Sequence, residues 1–219
     1  MNTAIILAAG AGARMQSDTP KQFLTINNKM IIEYSIDAFS LNNNINQIIV
    51  VCNRDWTDII REKYQSLKIV DGGKTRTESS FIGLSNCDKH CSKVLIHDAA
   101  RPFISQEVIN SSLNYLGKYD CAIPVIECED SIISLQKMQY LEREKIKIIQ
   151  TPQAFNYQVI KEAYDDIEYN NNHANETLTD NLSAVLKYNK NVNVKLFDGE
   201  KTNFKITKED DLAKAKLLI

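Results

Sequence analysis

Small residues follow directly on a buried strand near the start of the chain, and no other feature of the sequence restricts its fold as much. Residues 3–7 form an apolar run that predicts the strand. The positions that leave the following backbone almost bare are Ala8, Ala9, Gly10 and Gly12. A bare backbone lets a ligand reach main-chain N–H groups, and Arg14 and Lys21 add two cations to the same loop. Exposed amides beside paired cations predict a polyphosphate site.

Apolar runs alternate with segments of helical periodicity along the rest of the chain, which is typical of an α/β fold. We expect further buried strands near residues 47–52, 93–97 and 121–125, and helices over residues 105–116 and 155–167. A capping box over residues 207–210 predicts the start of a final helix. Ligand crevices in such folds open at the carboxyl ends of the strands. Asp98, just past a strand end, should therefore face the same crevice as residues 8–12, which we call the glycine loop.

Composition and charge exclude several classes of protein. The 219-residue chain has a net charge of −2, so it lacks the basic field that attracts a nucleic acid. No apolar run is long enough to span a membrane, and no signal segment precedes the first strand. The odd number of cysteines, five, is typical of free thiols in a reducing cytoplasm. We expect a cytoplasmic protein with one domain, residues 1–219, that contacts neither membrane nor nucleic acid.

The glycine loop matches neither of the two common nucleotide loops. It has no Gly-x-x-x-x-Gly-Lys-Ser/Thr sequence, and Met15 occupies the third glycine position of a dinucleotide fingerprint. The remaining nucleotide interpretation is a loop for a nucleoside triphosphate whose α-phosphorus is attacked. A plain strand-to-helix turn with solvated cations is the alternative that the loop alone leaves open.

Seven motifs occur in order along nearly the whole chain. They are LAAGAGARM at residues 7–15, PKQF at 20–23, GGKTR at 72–76, HDAARPF at 97–103, QTPQAF at 150–155, TD at 179–180 and NFKIT at 203–207. Together they resemble the 2-C-methyl-D-erythritol 4-phosphate cytidylyltransferase family, whose close relatives are ribitol-5-phosphate cytidylyltransferases. The resemblance implies an α/β, three-layer fold with a mostly parallel, Rossmann-like nucleotidyltransferase sheet. It also implies a protruding β-arm for dimerisation, which we place at about residues 126–150.

The resemblance implies an enzyme that transfers CMP from CTP to a polyol phosphate with Mg²⁺ and releases pyrophosphate. The residues that it assigns to the CTP site are Ala8, Ala9, Gly10, Gly12, Gly73, Ser79 and Ala99. It assigns Asp98 to the metal ion, which fits the preference of Mg²⁺ for carboxylate oxygen. The catalytic cations that it implies are Arg14, Lys21, Arg143 and Lys205.

The polyol phosphate site is also assigned by resemblance, to Arg101, Ser131, Thr151 and Thr179. In the family, the arginine matched by Arg143 comes from the other subunit, on an arm that exchanges between protomers. A homodimer with composite active sites therefore follows from the resemblance. On the residues alone, Arg143 is equally one charge within the charged run 142–147.

The acceptor is the least determined part of this interpretation. Residues 130–133 read Asp-Ser-Ile-Ile where the methylerythritol enzymes usually have Asp-Thr-Ile-Lys, and ribitol enzymes also tend to lack that cation. The HDAARP and TDNxS segments favour methylerythritol phosphate, which we expect as the substrate, with ribitol 5-phosphate as the alternative. A catalytically silent nucleotide-binding protein is a third hypothesis. The joint presence of Arg14, Lys21, Asp98, Arg143 and Lys205 argues against it.

Overall fold

The computed structural model describes residues 1–10, 19–169 and 178–218. Its strands are β1 (Asn2–Ala8), β2 (Thr25–Ile26), β3 (Lys29–Met30), β4 (Gln47–Cys52), β5 (Lys68–Asp71), β6 (Lys93–Asp98), β7 (Cys121–Glu127), β8 (Ile133–Ser134), β9 (Gln139–Tyr140), β10 (Lys147–Ile149), β11 (Gln153–Asn156) and β12 (Val194–Asp198). Its α-helices are α1 (Ile31–Ser40), α2 (Arg54–Lys63), α3 (Arg76–Ser85), α4 (Gln106–Tyr115), α5 (Tyr157–Tyr169), α6 (Asn181–Tyr188) and α7 (Glu209–Lys216). Short 3₁₀ helices cover Lys21–Phe23 and Arg143–Lys145.

Strand β1 lies at the centre of the sheet, parallel to β4 on one side and to β6 on the other. The register pairs Leu7 with Asp98 of β6, and Ala8 with Cys52 of β4. Strand β5 extends the sheet beyond β4, also in parallel. The carboxyl ends of these strands therefore meet at one edge, and Asp98 comes beside the start of the glycine loop.

Beyond β6 the sheet becomes mixed. Strand β11 runs antiparallel to both β6 and β7, β10 runs antiparallel to the far end of β7, and β12 is parallel to β7. Within the described residues these strands make one eight-stranded sheet. The expected mostly parallel α/β sheet is thus confirmed. The helix expected from residue 155 was wrong at its start, because Phe155 lies in β11 and α5 begins at Tyr157.

Helices cover both faces of the sheet and give the three layers that the sequence predicts. Side chains alternate between the faces of β1, so Ile6 packs in the cluster that contains Phe39 of α1 together with residues of α2 and α4. Ile5 points the other way and packs in the cluster that contains Leu84 of α3 and Tyr164 of α5. The sheet therefore has an apolar core on each side.

Residues 128–146, between β7 and β10, leave the sheet. The excursion expected over residues 126–150 is thus shorter at both ends, because residues 126–127 belong to β7 and Lys147–Ile149 form β10 of the sheet. Strands β8 and β9 pair with each other in a separate two-stranded ribbon. Large apolar side chains on this segment face solvent, among them Leu135, Met138 and Tyr140. We refer to residues 128–146 as the arm. In the part of the chain that the structure describes, no helix has the length and apolar character needed to cross a membrane.

Candidate active site

A cleft of about 480 Å³ opens at the carboxyl edge of the sheet, between the glycine loop, the start of α3 and the end of β6. The predicted site residues that line it are Ala8, Ala9, Gly10, Lys21, Gly73, Ser79, Asp98 and Lys205. These residues come from the start, middle and end of the chain. The expectation that the strand ends bring the motifs to one crevice is confirmed for this set.

Asp98 carries the negative charge of the cleft and is held by cations from two distant segments. Lys205 Nζ donates to Asp98 Oδ2 at 2.7 Å, and Arg76 Nη2 lies 3.5 Å from Oδ1. Burial would raise the pKa of this carboxyl, but the Arg76 and Lys205 charges, with Arg101 farther off, hold its pKa well below its usual range. Asp98 is therefore an anion at any physiological pH, as a ligand for a hard cation must be.

Arg76 opens α3 and is fixed by a buried polar cluster that centres on Asn181 of α6. Its Nη1 donates to Asn181 Oδ1 at 3.1 Å, and the same oxygen accepts from Ser80 Oγ at 2.9 Å and Tyr164 OH at 2.8 Å. Asn181 is fully buried directly after Asp180, which caps α6 through the Ser183 N–H. The guanidinium of Arg76 is thus oriented from α6 toward Asp98.

Lys21 enters the cleft from the 3₁₀ turn Lys21–Phe23, where it is 9% exposed. The turn is anchored to the core because the ring of Phe23 stacks on Trp56 of α2, with centroids 4.3 Å apart. The lysine ammonium is therefore held near the glycine loop by a rigid support, as a group that binds phosphate should be.

Two glycines after β5 allow the loop there to approach the glycine loop closely. A Cβ on Gly72 would collide with the side chain of Ala9, and one on Gly73 would collide with Glu78. Ser79 Oγ accepts from the Gly73 N–H at 3.1 Å and donates to the Thr75 carbonyl at 2.9 Å. The second lone pair of the Ser79 hydroxyl and the Gly73 carbonyl can accept hydrogen bonds from a base amine.

A buried hydrogen-bond chain fixes the backbone of Asp98. His97 Nε2 lies 3.0 Å from the Arg101 carbonyl and must carry the proton, since a carbonyl only accepts. Burial lowers the pKa of His97 to about 4, so its Nδ1 is an acceptor for the Thr151 hydroxyl at 3.2 Å. Thr151 Oγ1 accepts in turn from the Asp98 N–H at 3.1 Å. His97 is fully buried and has both ring nitrogens engaged, so its role here is structural.

Several predicted residues lie outside the lining of the cleft. Thr151 and Ala99 are buried beside Asp98, and Arg101 donates through Nη1 to the Asn203 carbonyl at 2.8 Å. Thr179 is exposed just ahead of α6. Gly12 and Arg14 fall outside the described residues.

Ser131 and Arg143 are exposed on the arm, away from the cleft lining. Arg143 Nη1 donates to the Glu129 carbonyl of the same arm at 3.0 Å. Within the described part of a single chain, these two residues are therefore not brought together with Asp98.

The structure adds cleft residues to which the sequence interpretation gave no role, namely Gln22, Lys74, Thr75, Arg76 and Ala100. All five lie within the motifs that the sequence offers. Gln22 stands next to Lys21 in the second motif, and Arg76 closes the Gly-Gly-x-x-Arg motif. Lys74 and Thr75 lie in the same motif as Arg76, and Ala100 lies two residues after Asp98 in the HDAARPF motif.

The family model of 2-C-methyl-D-erythritol 4-phosphate cytidylyltransferase (IspD) matches residues 2–219. The chain belongs to this family. A protein of that name from Clostridium botulinum is 38% identical over 221 residues, which cover 96% of this chain and 94% of the relative. Another, from Thermotoga neapolitana, is 35% identical over 100% of this chain and 96% of the relative.

Solved structures of IspD proteins share the fold. The Anaerococcus prevotii structure, titled 4-diphosphocytidyl-2C-methyl-D-erythritol synthase, has a TM-score of 0.85 at 30% identity and covers 99% of this chain and 97% of its own. The IspD structure from Francisella tularensis has a TM-score of 0.84 at 28% identity, covering 100% and 99%. The mixed sheet described above is therefore that of the IspD proteins.

The donor set of the cleft fits a magnesium ion that arrives with phosphate. Asp98 supplies one carboxylate at the cleft, and the described residues contain no cluster of three or more His, Cys, Asp or Glu side chains that could hold a metal ion alone. Mg²⁺ sites in nucleotide enzymes commonly combine one or two carboxylates with phosphate oxygens. Asp98 is thus a suitable ligand once a triphosphate completes the coordination.

Proposed function

We propose that this chain transfers the CMP group of CTP to the phosphate of 2-C-methyl-D-erythritol 4-phosphate and releases pyrophosphate. The cytidylylated product would serve isoprenoid precursor synthesis. The observation that carries the proposal is the cleft in which Arg76 and Lys205 contact Asp98, and which Lys21 and bare backbone also line. Membership of the IspD family supplies the reaction class. An acceptor phosphate oxygen forms a bond to the α-phosphorus of CTP, and the bond from that phosphorus to the oxygen of pyrophosphate breaks.

The chemistry requires positioning and charge neutralisation rather than a general base. A phosphate monoester has its second pKa near 6, so the nucleophile is largely a dianion at about pH 7. The barrier is the approach of two polyanions, which cations fixed by the fold can lower. Lys21 and Lys205 would neutralise charge that develops on the α-phosphoryl group and on the leaving pyrophosphate. The resemblance adds Arg14 to this set.

Mg²⁺ is part of the proposal, with Asp98 as its protein ligand. When bound, the ion would neutralise phosphate charge and favour departure of pyrophosphate. Lys205 contacts one carboxylate oxygen of Asp98 and Arg76 contacts the other, so together they orient the carboxylate toward the cleft. Their charges also keep it ionised in the absence of the ion.

Cytosine recognition is proposed for Gly73 and Ser79, and the methylerythritol phosphate site for Arg101, Ser131, Thr151 and Thr179. The acceptors on Gly73 and Ser79 suit an exocyclic amine, which cytosine presents and uracil lacks. Thr151 is hydrogen-bonded to Asp98, and Arg101 to Asn203, and neither lines the open cleft. This supports a role for both in positioning the acceptor site through these neighbours.

We also propose a homodimer in which the arm of one protomer completes the site of the other. The exposed apolar side chains Leu135, Met138 and Tyr140 support this, because monomeric proteins rarely expose such groups together. Arg143 on the same arm would then reach the acceptor phosphate of the partner.

The whole chain would act as one catalytic domain, and its free thiols support a cytoplasmic location.

Pyrophosphate release tests the proposed reaction. With 2-C-methyl-D-erythritol 4-phosphate and Mg²⁺ present, CTP should give pyrophosphate, and UTP, ATP and GTP should give far less. Lys21→Ala should lower the rate of pyrophosphate release at least about 10²-fold, as expected when one donor to a transition state is lost. Lys89→Ala, which changes an exposed lysine outside the cleft, is the matched control. No release from CTP, or equal release from all four nucleotides, would overturn the proposal.

A further inference from the structure

Gln22 lies beside the catalytic cation Lys21 and has a contact that the reaction scheme does not use. It is 3% exposed, and its side-chain Nε2 donates to the Ala8 carbonyl at 2.6 Å and to the Gly10 carbonyl at 2.8 Å. One amide group thus binds both ends of a three-residue stretch at the exit of β1. Both of its hydrogens are used on the backbone of the glycine loop.

A loop that offers N–H groups to an anion must turn carbonyl oxygens elsewhere, because each peptide unit carries both groups in opposite directions. Those carbonyls need donors when they are buried. A glutamine amide supplies two hydrogens without adding a charge, whereas a hydroxyl supplies one. Gln22 meets this requirement for the carbonyl of buried Ala8, and it also holds the carbonyl of Gly10, which is an exposed residue.

The support of Gln22 is rigid. The Phe23 N–H donates to the Pro20 carbonyl at 2.9 Å, which closes the 3₁₀ turn, and Phe23 stacks nearly parallel on Trp56 at 4.3 Å. The same turn presents Lys21 to the cleft. The position of the glycine-loop carbonyls is thereby tied to the position of Lys21 through two adjacent residues.

We propose that Gln22 is a positioning residue for the triphosphate. It holds the carbonyls of Ala8 and Gly10 away from the phosphates and fixes the spacing between the glycine loop and Lys21. The inference rests on the proposed function, since it concerns the CTP site of that reaction. It predicts that loss of the amide weakens binding of the β- and γ-phosphates in particular.

CTP binding measured through Trp56 tests this role, because Trp56 is the only tryptophan of the chain and stacks on the turn that carries Gln22. Gln22→Glu replaces the donor by an anion that faces two carbonyls, and Gln22→Met removes the donor without charge. Each variant should raise the Kd for CTP with Mg²⁺ by about tenfold or more. The Kd for CMP, which lacks the two outer phosphates, should change several-fold less.

Gln106→Glu is the matched control, since Gln106 also donates its amide to a backbone carbonyl, that of Ala38 at 2.7 Å, outside the cleft lining. It should leave both Kd values unchanged. Wild-type affinity in both Gln22 variants, or an equal loss for CTP and CMP, would overturn the positioning role and leave the proposed function standing. Wild-type protein that binds no CTP would overturn both.

Discussion

Lys205 Nζ lies 2.7 Å from Asp98 Oδ2, although the two residues are 107 positions apart in the chain. The contact joins the segment ahead of α7 to the carboxyl end of β6, on the floor of the cleft. Arg76 approaches the other carboxylate oxygen from α3. One buried anion therefore holds cations from two other parts of the fold, and its loss should affect the site more than the fold.

Asp98→Asn should lower kcat by at least about 10²-fold, because it removes the anionic oxygen that Mg²⁺ requires and that orients Lys205. The residual activity should also respond less steeply to Mg²⁺ concentration. Steady-state pyrophosphate release over a Mg²⁺ series measures both effects. Asp198→Asn, which changes an exposed carboxylate at the end of β12, is the control. A near-normal rate in Asp98→Asn would exclude Asp98 from the metal site.

Arg143→Ala should raise KM for the acceptor while KM for CTP stays nearly constant, since the resemblance places this arginine on the acceptor phosphate. Loss of a charge-assisted hydrogen bond to phosphate corresponds to about a tenfold or greater effect. Lys137→Ala removes another exposed cation of the arm and should leave both constants unchanged. Unchanged acceptor kinetics in Arg143→Ala would remove that residue from the site.

Leu135→Lys should weaken the proposed dimer, because it places a charge on an apolar patch that the partner would cover. Sedimentation velocity over a dilution series should show a dimer dissociation constant raised by about tenfold or more. Leu41→Lys is a close control, since Leu41 is 76% exposed and Leu135 is 80% exposed, but Leu41 lies outside the arm. Equal behaviour of the two variants would contradict dimerisation through the arm.

Asp211→Ala should destabilise the chain by about 1 kcal/mol near neutral pH, since Asp211 Oδ2 accepts from the Thr207 and Lys208 N–H groups at the start of α7. Partial burial opposes ionisation, but these hydrogen bonds lower the pKa of Asp211 overall. A carboxyl with a depressed folded-state pKa stabilises the fold above its ordinary range. The difference in free energy of unfolding between Asp211→Ala and wild type should therefore shrink as the pH falls through the ordinary aspartate pKa. It should be lost once the pH is below the depressed pKa of Asp211.

Asp210→Ala is the internal control for that experiment, because its neighbour Asp211, not Asp210, makes the capping contacts. Urea unfolding at pH 7 and pH 3 compares the two variants. Equal destabilisation by both at pH 7 would contradict the capping role of Asp211.

The capping box expected over residues 207–210 was wrong by one position, since Lys208 is the N-cap residue. Thr207 and Asp210 satisfy the sequence rule for a capping box, whereas Lys208 has no side-chain acceptor, so the observed start of α7 has only the half of the box that Asp211 supplies.

The convergence of the glycine loop with Asp98 was predictable from sequence for a physical reason. Parallel strands that are buried on both faces read as apolar runs, and their carboxyl ends share one edge of the sheet. Residues directly after such runs, Ala8 and Asp98 among them, must therefore be neighbours. The register that pairs Leu7 with Asp98 confirms this.

The contacts of Arg76 could not be predicted in the same way. Its partner Asn181 is 105 residues away and lies at the start of a helix, where periodicity indicates burial but no specific contact. Strand β11 was missed because its four residues run into α5 without a turn signal. The proposed role of Arg143 depends on a second protomer, so neither the sequence nor one chain of the structure could bring it to the cleft.

The most direct test of the proposed function is a competition between acceptors. Equal concentrations of 2-C-methyl-D-erythritol 4-phosphate and ribitol 5-phosphate are incubated with CTP, Mg²⁺ and the enzyme, and products are identified by mass spectrometry. We predict that cytidine diphospho-methylerythritol forms in step with pyrophosphate, with little cytidine diphospho-ribitol. Predominant formation of cytidine diphospho-ribitol, or no nucleotide product from either acceptor, would contradict the account.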